Sequence, residues 1–430
     1  MSLLVKNGRV IDPATGLDGV RDVLVENVAS SAARIEPAGS IKPESHEVID
    51  ATGMLVLPGL VDLRAHLREP GQEYKEDLVS GATAAVAGGI TTLVAQPDTK
   101  PPVDNGEIVD FVRRRGEAAG LAKILVAGAI TAGLKGEQLA FIGEMRRAGA
   151  VILSDGDAWV RDAGLMRRAL EYASDFGLTV MTHAEDPTLA RDGLAHEGPM
   201  SVRLGLRGIP SVAEETAIAR DLALAAYTGA SLHVAHVSSA EAVEQLRIAK
   251  KRGTKVTCDV AVHHLVLTDE ALATYDSSLR LSPPLRRARD REALIEGLVD
   301  GTIDAVASDH APQSVLEKDL PFTEAEPGAI ALQQLLPLCL SLVAEKRIDL
   351  PTLVARLTTG PARVLGPYAQ GAGALAAGDL TVVAPDSEWL LARETLLSKC
   401  INSPFVGRTL RGRVECTVVR GRVVYKRQNA

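Results

Sequence analysis

The two ends of the chain share a hydrophobic texture that differs from the middle. Residues 1–54 hold short β-branched runs broken by turns, at 3–10, 22–25 and 47–49. Residues 375–430 repeat that texture at 380–383, 414–419 and 422–425, the last two runs joined at Arg420-Gly421. Such runs predict antiparallel strands and hairpins. Neither end holds enough strands to be stable alone. The two are therefore expected to meet as one small β-sandwich domain built from 1–54 and 370–430, with the chain termini adjacent.

Between them, over 55–369, the pattern becomes strand then helix, repeated. Apolar runs at 59–63, 91–95, 123–127, 150–153, 178–182, 232–235, 255–258 and 305–307 are strand candidates. Helical periodicity follows several of them, at 165–176, 214–227, 240–252 and 289–298. Eight β-α alternations predict a parallel (β/α)8 barrel of the TIM type. An open doubly wound sheet is the alternative, but no GxGxxG opens the first helix.

Chemistry in such barrels sits at the C-terminal ends of strands. The first run leads into Asp62-Leu63-Arg64-Ala65-His66-Leu67-Arg68. The fourth ends at Ser154-Asp155, the fifth at Thr182-His183, the sixth at His236 and the eighth at Ser308-Asp309-His310. A lone histidine or aspartate after a strand is usually a hydrogen-bonded loop residue or a helix cap. Three histidines and two aspartates closing five strands together suit a borderline divalent metal such as zinc. His233 lies three residues before His236, on the other face of the strand, and reads as structural.

Composition narrows the classes. A net charge of −8, with no Lys/Arg-rich run, argues against a nucleic-acid partner. The most apolar stretch, 330–343, contains Gln333, Gln334 and Pro337, so it reads as a buried helix and no membrane span is expected. The first nine residues meet charge and glycine too early for a signal peptide. The four cysteines are scattered, which fits a reducing, cytoplasmic location and buried thiols. A small-molecule substrate is expected, and a homo-oligomer.

The stretch Pro58-Gly59-Leu60-Val61-Asp62, with His66-Leu67-Arg68-Glu69-Pro70-Gly71 and Tyr74-Lys75-Glu76-Asp77, resembles the first strand and loop of class I dihydroorotases. The likeness continues through Ala87-Gly88-Gly89, His183-Ala184-Glu185-Asp186, His236-Val237-Ser238, Pro283-Pro284-Leu285-Arg286, Ser308-Asp309-His310-Ala311-Pro312 and Gly360-Pro361-Ala362-Arg363. It implies reversible conversion of N-carbamoyl-L-aspartate to L-dihydroorotate, in pyrimidine synthesis. It also implies roles by position: Asp155 as a carboxylate bridging two metals, His183 and His236 as ligands of the second (β) metal, and His66 as a ligand of the first (α) metal. Asp309 would bind the α metal and act as general acid and base, and Arg68 would grip the substrate carboxylate. Hydantoinases and allantoinases share the barrel but usually bridge their metals with a carbamylated lysine after strand four, where this chain has none.

The chain departs from that pattern at four positions. Where the family has His-x-His at strand one, it has Arg64-Ala65-His66, and arginine has no lone pair for a metal. Asp98 and Ser282 replace asparagines of the substrate site, and Gln313 replaces a histidine. Arg64 and Asp98 belong to neighbouring strands, so either they compensate one another as an ion pair or they changed independently. The resemblance with these departures implies one zinc rather than two, at the β position. It leaves a second possibility: a non-catalytic subunit that stabilises aspartate transcarbamoylase.

Overall fold

In the computed structural model, which describes residues 2–26 and 32–428, the eight apolar runs of the middle segment all form parallel strands. We number these barrel strands β1 (Leu60–Ala65), β2 (Ile90–Ala95), β3 (Lys123–Gly128), β4 (Ala150–Ser154), β5 (Thr179–Thr182), β6 (Leu232–Val234), β7 (Val256–Ala261) and β8 (Ala305–Ala307). Each pairs with its sequence neighbour, from β1 round to β8. Nearly every strand residue is buried, which is why the strands read as continuous apolar runs rather than as alternating ones. The predicted helices are present as Ala163–Asp175, Val212–Thr228, Ala240–Lys251 and Ala288–Asp300. Asp162 and Ser239 cap the first and third of these through their side chains, ending the preceding loops.

The ring closes between β8 and β1 by a mixture of backbone and side chain. Ala65 bridges His310 in parallel, and the His66 amide donates to the His310 carbonyl at 2.8 Å. β8 has only three residues, too few for a full ladder. The carboxylate of Asp62 takes over, accepting from the Ser308 amide at 2.8 Å and the Ser308 hydroxyl at 2.6 Å. Burial pushes the Asp62 carboxyl up to about 7 against those bonds. The seam thus fixes the ends of β1 and β8 side by side, where Arg64, His66 and Asp309 lie.

Strands from both chain ends share one eight-stranded sheet. Leu55–Pro58, which lies just past the expected boundary at 54, pairs antiparallel with Leu380–Leu390 from the C-terminal segment, with Leu57 opposite Thr381 and Val56 opposite Val382. Leu3, Val5, Val23, Val56, Leu380, Val382 and Val418 form one buried cluster that neither end could supply alone. The final hairpin joins Thr409–Val419 to Arg422–Lys426. Arg420 and Gly421 both have positive φ, 50° and 73°, as a type I′ turn requires. The apolar stretch after residue 330 forms the helix Leu335–Ala344, mostly buried, with Pro337 tolerated in its first turn. Among the described residues no helix is long and apolar enough to cross a membrane.

Candidate metal and acid-base centre

β1 runs straight into the centre. Arg64 and His66 are two residues apart and so share one side of the strand. The guanidinium of Arg64 is fully buried. Its Nε donates to Asp309 Oδ1 at 2.9 Å, its Nη1 to Gln96 Oε1 at 3.2 Å, and its Nη2 to Asp157 Oδ1. Arg64 therefore does not pair directly with Asp98, which corrects the compensating ion pair weighed from the sequence. Asp98 instead accepts from Arg68 Nη1 at 2.9 Å and lies 2.7 Å from His66 Nδ1. Burial opposes its charge, but His66, Arg68 and Arg64 outweigh that and hold Asp98 well below the usual carboxylate range.

On the far side of the guanidinium, Asp309 meets the histidine pair. His236 Nδ1 is 3.4 Å from Asp309 Oδ1, and His236 Nε2 is 2.7 Å from His183 Nδ1. Burial again opposes charge on Asp309, yet His236, Arg64 and His66 hold its pKa well below normal. His183 is pushed the other way for an imidazole, down to about 3, by burial and by His236 beside it. It is neutral at physiological pH, with a lone pair to give. His66 Nε2 and His236 Nδ1 are buried without a hydrogen-bond partner among the described residues. Arg68, His236 and Asp309 all have positive φ, at 62°, 40° and 49°. These are three of the nine positive-φ non-glycine positions among the described residues, and each follows a barrel strand beside this cluster.

The structure places Asp155 differently from the bridging position implied by the resemblance. Its Oδ1 accepts from the amides of Ile130 and Thr131 at 2.8 and 2.9 Å, and its Oδ2 from the Thr131 hydroxyl at 2.5 Å. Asp155 thus clamps the loop after β3 with three hydrogen bonds on its two oxygens. The carboxylate that enters the cluster is Asp157, two residues on. Gly156, with φ of 65°, turns the chain between them. Asp157 bonds Arg64 and lies 4.0 Å from His66 Nε2. His66, Asp98 and Asp157 each offer one ligand atom within 4.8 Å of the others. Sequence reasoning missed Asp157, although the Asp-Gly-Asp after β4 offered two candidates and only the first was taken.

The remaining expected positions lie at the periphery. Gln313 is engaged elsewhere, accepting from Lys75 Nζ at 2.7 Å and donating to the Pro327 carbonyl at 2.9 Å. Ser282 is half-buried and precedes Pro283, which lies beside His183 and His236. His233 sits between Thr257 and Asp259, at 2.8 Å from each, as a structural residue. A cavity of about 330 Å³ opens against the cluster, lined among others by Asp157, Trp159, His183, Glu185, Lys135 and Arg161.

The chain has clear relatives among known proteins. Residues 53–242 match the family model described as dihydro-orotase-like. The chain is 47% identical over 427 residues to a dihydroorotase of Pelobacter propionicus, covering 99% of this chain and all of that one. It is 48% identical over 432 residues to a dihydroorotase of Anaeromyxobacter dehalogenans, covering all of this chain and 99% of that one. Among solved structures, L-hydantoinase from Arthrobacter aurescens superposes with a TM-score of 0.86 at 27% identity, over 99% of this chain and 96% of that one.

Proposed function

The chain belongs to the dihydroorotase family, hydrolases that act on a cyclic amide, and from that premise we propose that it interconverts L-dihydroorotate and N-carbamoyl-L-aspartate with a single zinc ion. The observation that carries the single-ion reading is the convergence of His183 Nδ1 and His236 Nε2, 2.7 Å apart at the ends of neighbouring strands. Two nitrogens on one tetrahedral zinc, each bound at about 2.0–2.1 Å, stand roughly 3.3 Å apart. The pair needs to open by only about 0.6 Å to fit. Asp157, lining the same cavity as His183, supplies the carboxylate.

A bound zinc polarises a carbonyl and lowers the pKa of water. The rest falls to the chain's own side chains. Asp309 is the residue we assign to proton transfer, because it lies beside the histidine pair at the end of β8. Arg64 and His236 stabilise its charged form, so it is a weak base. General-base efficiency falls as the base's pKa drops below the working pH, which makes slow turnover the expectation. Arg64 links Asp157 to Asp309 and puts a fixed positive charge where a second ion would have to stand. We place the reaction in pyrimidine synthesis in the cytoplasm, consistent with four buried free cysteines.

The Arg64–Asp309 pair also favours a second reading, a subunit without catalysis that stabilises aspartate transcarbamoylase. Metal content per chain and dihydroorotate turnover, alone and with that enzyme added, separate the two. Product formation abolished by His183→Asn supports the first reading. Zinc uptake without product in either condition, together with a stabilised transcarbamoylase, supports the second.

A further inference from the structure

The turn after β5 carries a carboxylate that no protein group answers. Glu185 lines the cavity beside His183, and also a smaller one shared with His236 and Pro283. Its Oε2 is buried and has no hydrogen-bond partner among the described residues. The buried guanidinium of Arg286 is committed elsewhere. It donates through Nε to Ser238 Oγ at 3.0 Å, through Nη2 to Glu214 Oε2 at 3.3 Å and through Nη1 to the Ile209 carbonyl at 3.3 Å. Lys135 and Arg161 line the larger cavity too, but both are exposed and water screens their charge. Buried polar atoms are hydrogen-bonded with few exceptions, so an acceptor left open in a cavity marks a place for a donor on the ligand.

The backbone on both sides of this carboxylate is tied down. The Glu185 amide donates to the His183 carbonyl at 3.1 Å, and the Asp186 amide to the Ala213 carbonyl at 2.8 Å. Asp186 then caps the short helix Pro187–Ala190 through the Thr188 amide at 2.8 Å. Its place in the barrel matters as much. β1 and β5 are four strands apart in a ring of eight, so their ends face one another across the mouth. Arg68 stands three residues past the end of β1, and Glu185 three residues past the end of β5. Arg68 bonds Asp98 through Nη1 and the Pro312 carbonyl through Nε, which leaves Nη2 for the substrate carboxylate that the resemblance assigns to it. In the six-membered ring of dihydroorotate, the carbon bearing that carboxylate lies opposite the imide nitrogen. A substrate held by its carboxylate at Arg68 therefore directs its imide N–H towards β5.

We propose that Glu185 accepts the imide N–H of the cyclic amide, at the end of the ring opposite the carboxylate. After ring opening the same nitrogen is the terminal amino group of the carbamoyl chain, and Glu185 holds it in place for the reverse reaction. The inference rests on the proposed function and names the residue that reads the substrate's nitrogen. The test is calorimetric titration of the zinc-loaded full chain with orotate and with 3-methylorotate. Orotate keeps the carboxylate and the imide N–H on a conjugated ring, and 3-methylorotate carries a methyl group in place of that hydrogen. The parent should bind orotate at least ~10-fold more tightly, the worth of a hydrogen bond to a charged group. Glu185→Leu should weaken orotate by about tenfold and change 3-methylorotate less than about twofold, with zinc content unchanged. The sign is diagnostic, because removing a negative charge beside an anionic ligand otherwise strengthens binding. Glu185→Gln keeps an acceptor without the charge and should weaken orotate by about threefold, which serves if the leucine variant does not fold.

The proposal is overturned if the parent binds the two analogues equally or binds neither, a reading that needs no variant. It is also overturned if either Glu185 variant binds orotate as tightly as the parent, or more so. Loss of zinc from Glu185→Leu would overturn it too, by making the carboxylate a metal ligand instead. Because binding is read without turnover, a parent that prefers orotate but forms no product from dihydroorotate would sink the proposed hydrolysis and leave this contact standing. A parent that turns over dihydroorotate but does not distinguish the analogues would do the reverse.

Discussion

Replacing Arg64 by histidine tests whether a guanidinium has taken the place of a metal ion. In the parent, Arg64 is fully buried and bonds Asp309 and Asp157. Breaking a buried pair from one side costs about 3–5 kcal/mol, because the remaining charge is left without a partner. Asp309 takes most of that penalty, being 11% exposed. The side chain of Asp157 is 47% exposed, so water screens it and it adds little. The guanidinium also repels a second ion. At ~4 Å and an effective dielectric of about 20, a unit charge and a divalent ion repel by about 8 kcal/mol. A structural zinc site yields about 10–16 kcal/mol, so the repulsion removes much of the affinity. Histidine removes the charge and restores a lone pair. Arg64→His should therefore be less stable than the parent in chelator by about 3–5 kcal/mol. Zinc at a hundred times its dissociation constant should return about 2.7 kcal/mol beyond what the parent gains. Denaturant titrations with and without zinc read the energies, and metal analysis should show about one further ion per chain. Asp98 is bonded to His66 and Arg68 rather than to Arg64, so the single substitution should suffice without Asp98→Asn. If Arg64→His takes up no further ion and responds to zinc as the parent does, the guanidinium is not standing in for a metal.

Two further outcomes follow from the geometry. Asp157→Asn should weaken zinc binding by tenfold or more, whereas Asp155→Asn should leave zinc content unchanged. Asp155→Asn should instead lower stability by about 1–3 kcal/mol by unsatisfying the loop after β3, and metal analysis beside thermal melts reads both. The Asp62 carboxyl is raised to about 7 in the folded chain from an ordinary value of 3.8, so the folded state binds the proton more tightly. Its stabilising contribution is complete below about pH 4 and is lost as pH rises towards 7. Asp62→Asn should remove that slope, and stability curves of parent and variant that stay parallel between pH 4 and 7 would contradict the assignment.

The barrel was legible because its strands are buried on both faces, so each appears as a short apolar run ended by a polar residue. The terminal sheet was legible for a different reason. Neither end had enough strands, and they share one sheet through Leu55–Pro58, a strand just past the expected boundary at 54, where Val56 pairs with Val382. What the sequence concealed are contacts between distant segments. Arg64 meets Asp157 and Asp309, 93 and 245 residues away, and nothing in local pattern ranks those over Asp98 on the adjacent strand. The choice between Asp155 and Asp157 was hidden in one dihedral angle. Had Gly156 not been at positive φ, the two carboxylates would have kept the orientation that simple strand alternation suggests.

Charge balance explains why Arg64 and Asp157 belong together. Three carboxylates, Asp98, Asp157 and Asp309, face two guanidiniums, Arg64 and Arg68. Counting the histidines as neutral, the cluster carries one net negative charge. The one divalent ion of the proposed function, held at His183 and His236, would leave it singly positive, a charge that an anionic substrate would cancel. A second ion would leave it triply positive in a buried site, which the low dielectric there forbids. Without Asp157 the arginine would have one carboxylate partner instead of two. Without Arg64, Asp157 and Asp309 would call for a second ion. Under the single-ion reading, Arg64 therefore supplies, between Asp157 and Asp309, the positive charge that a second ion would otherwise bring.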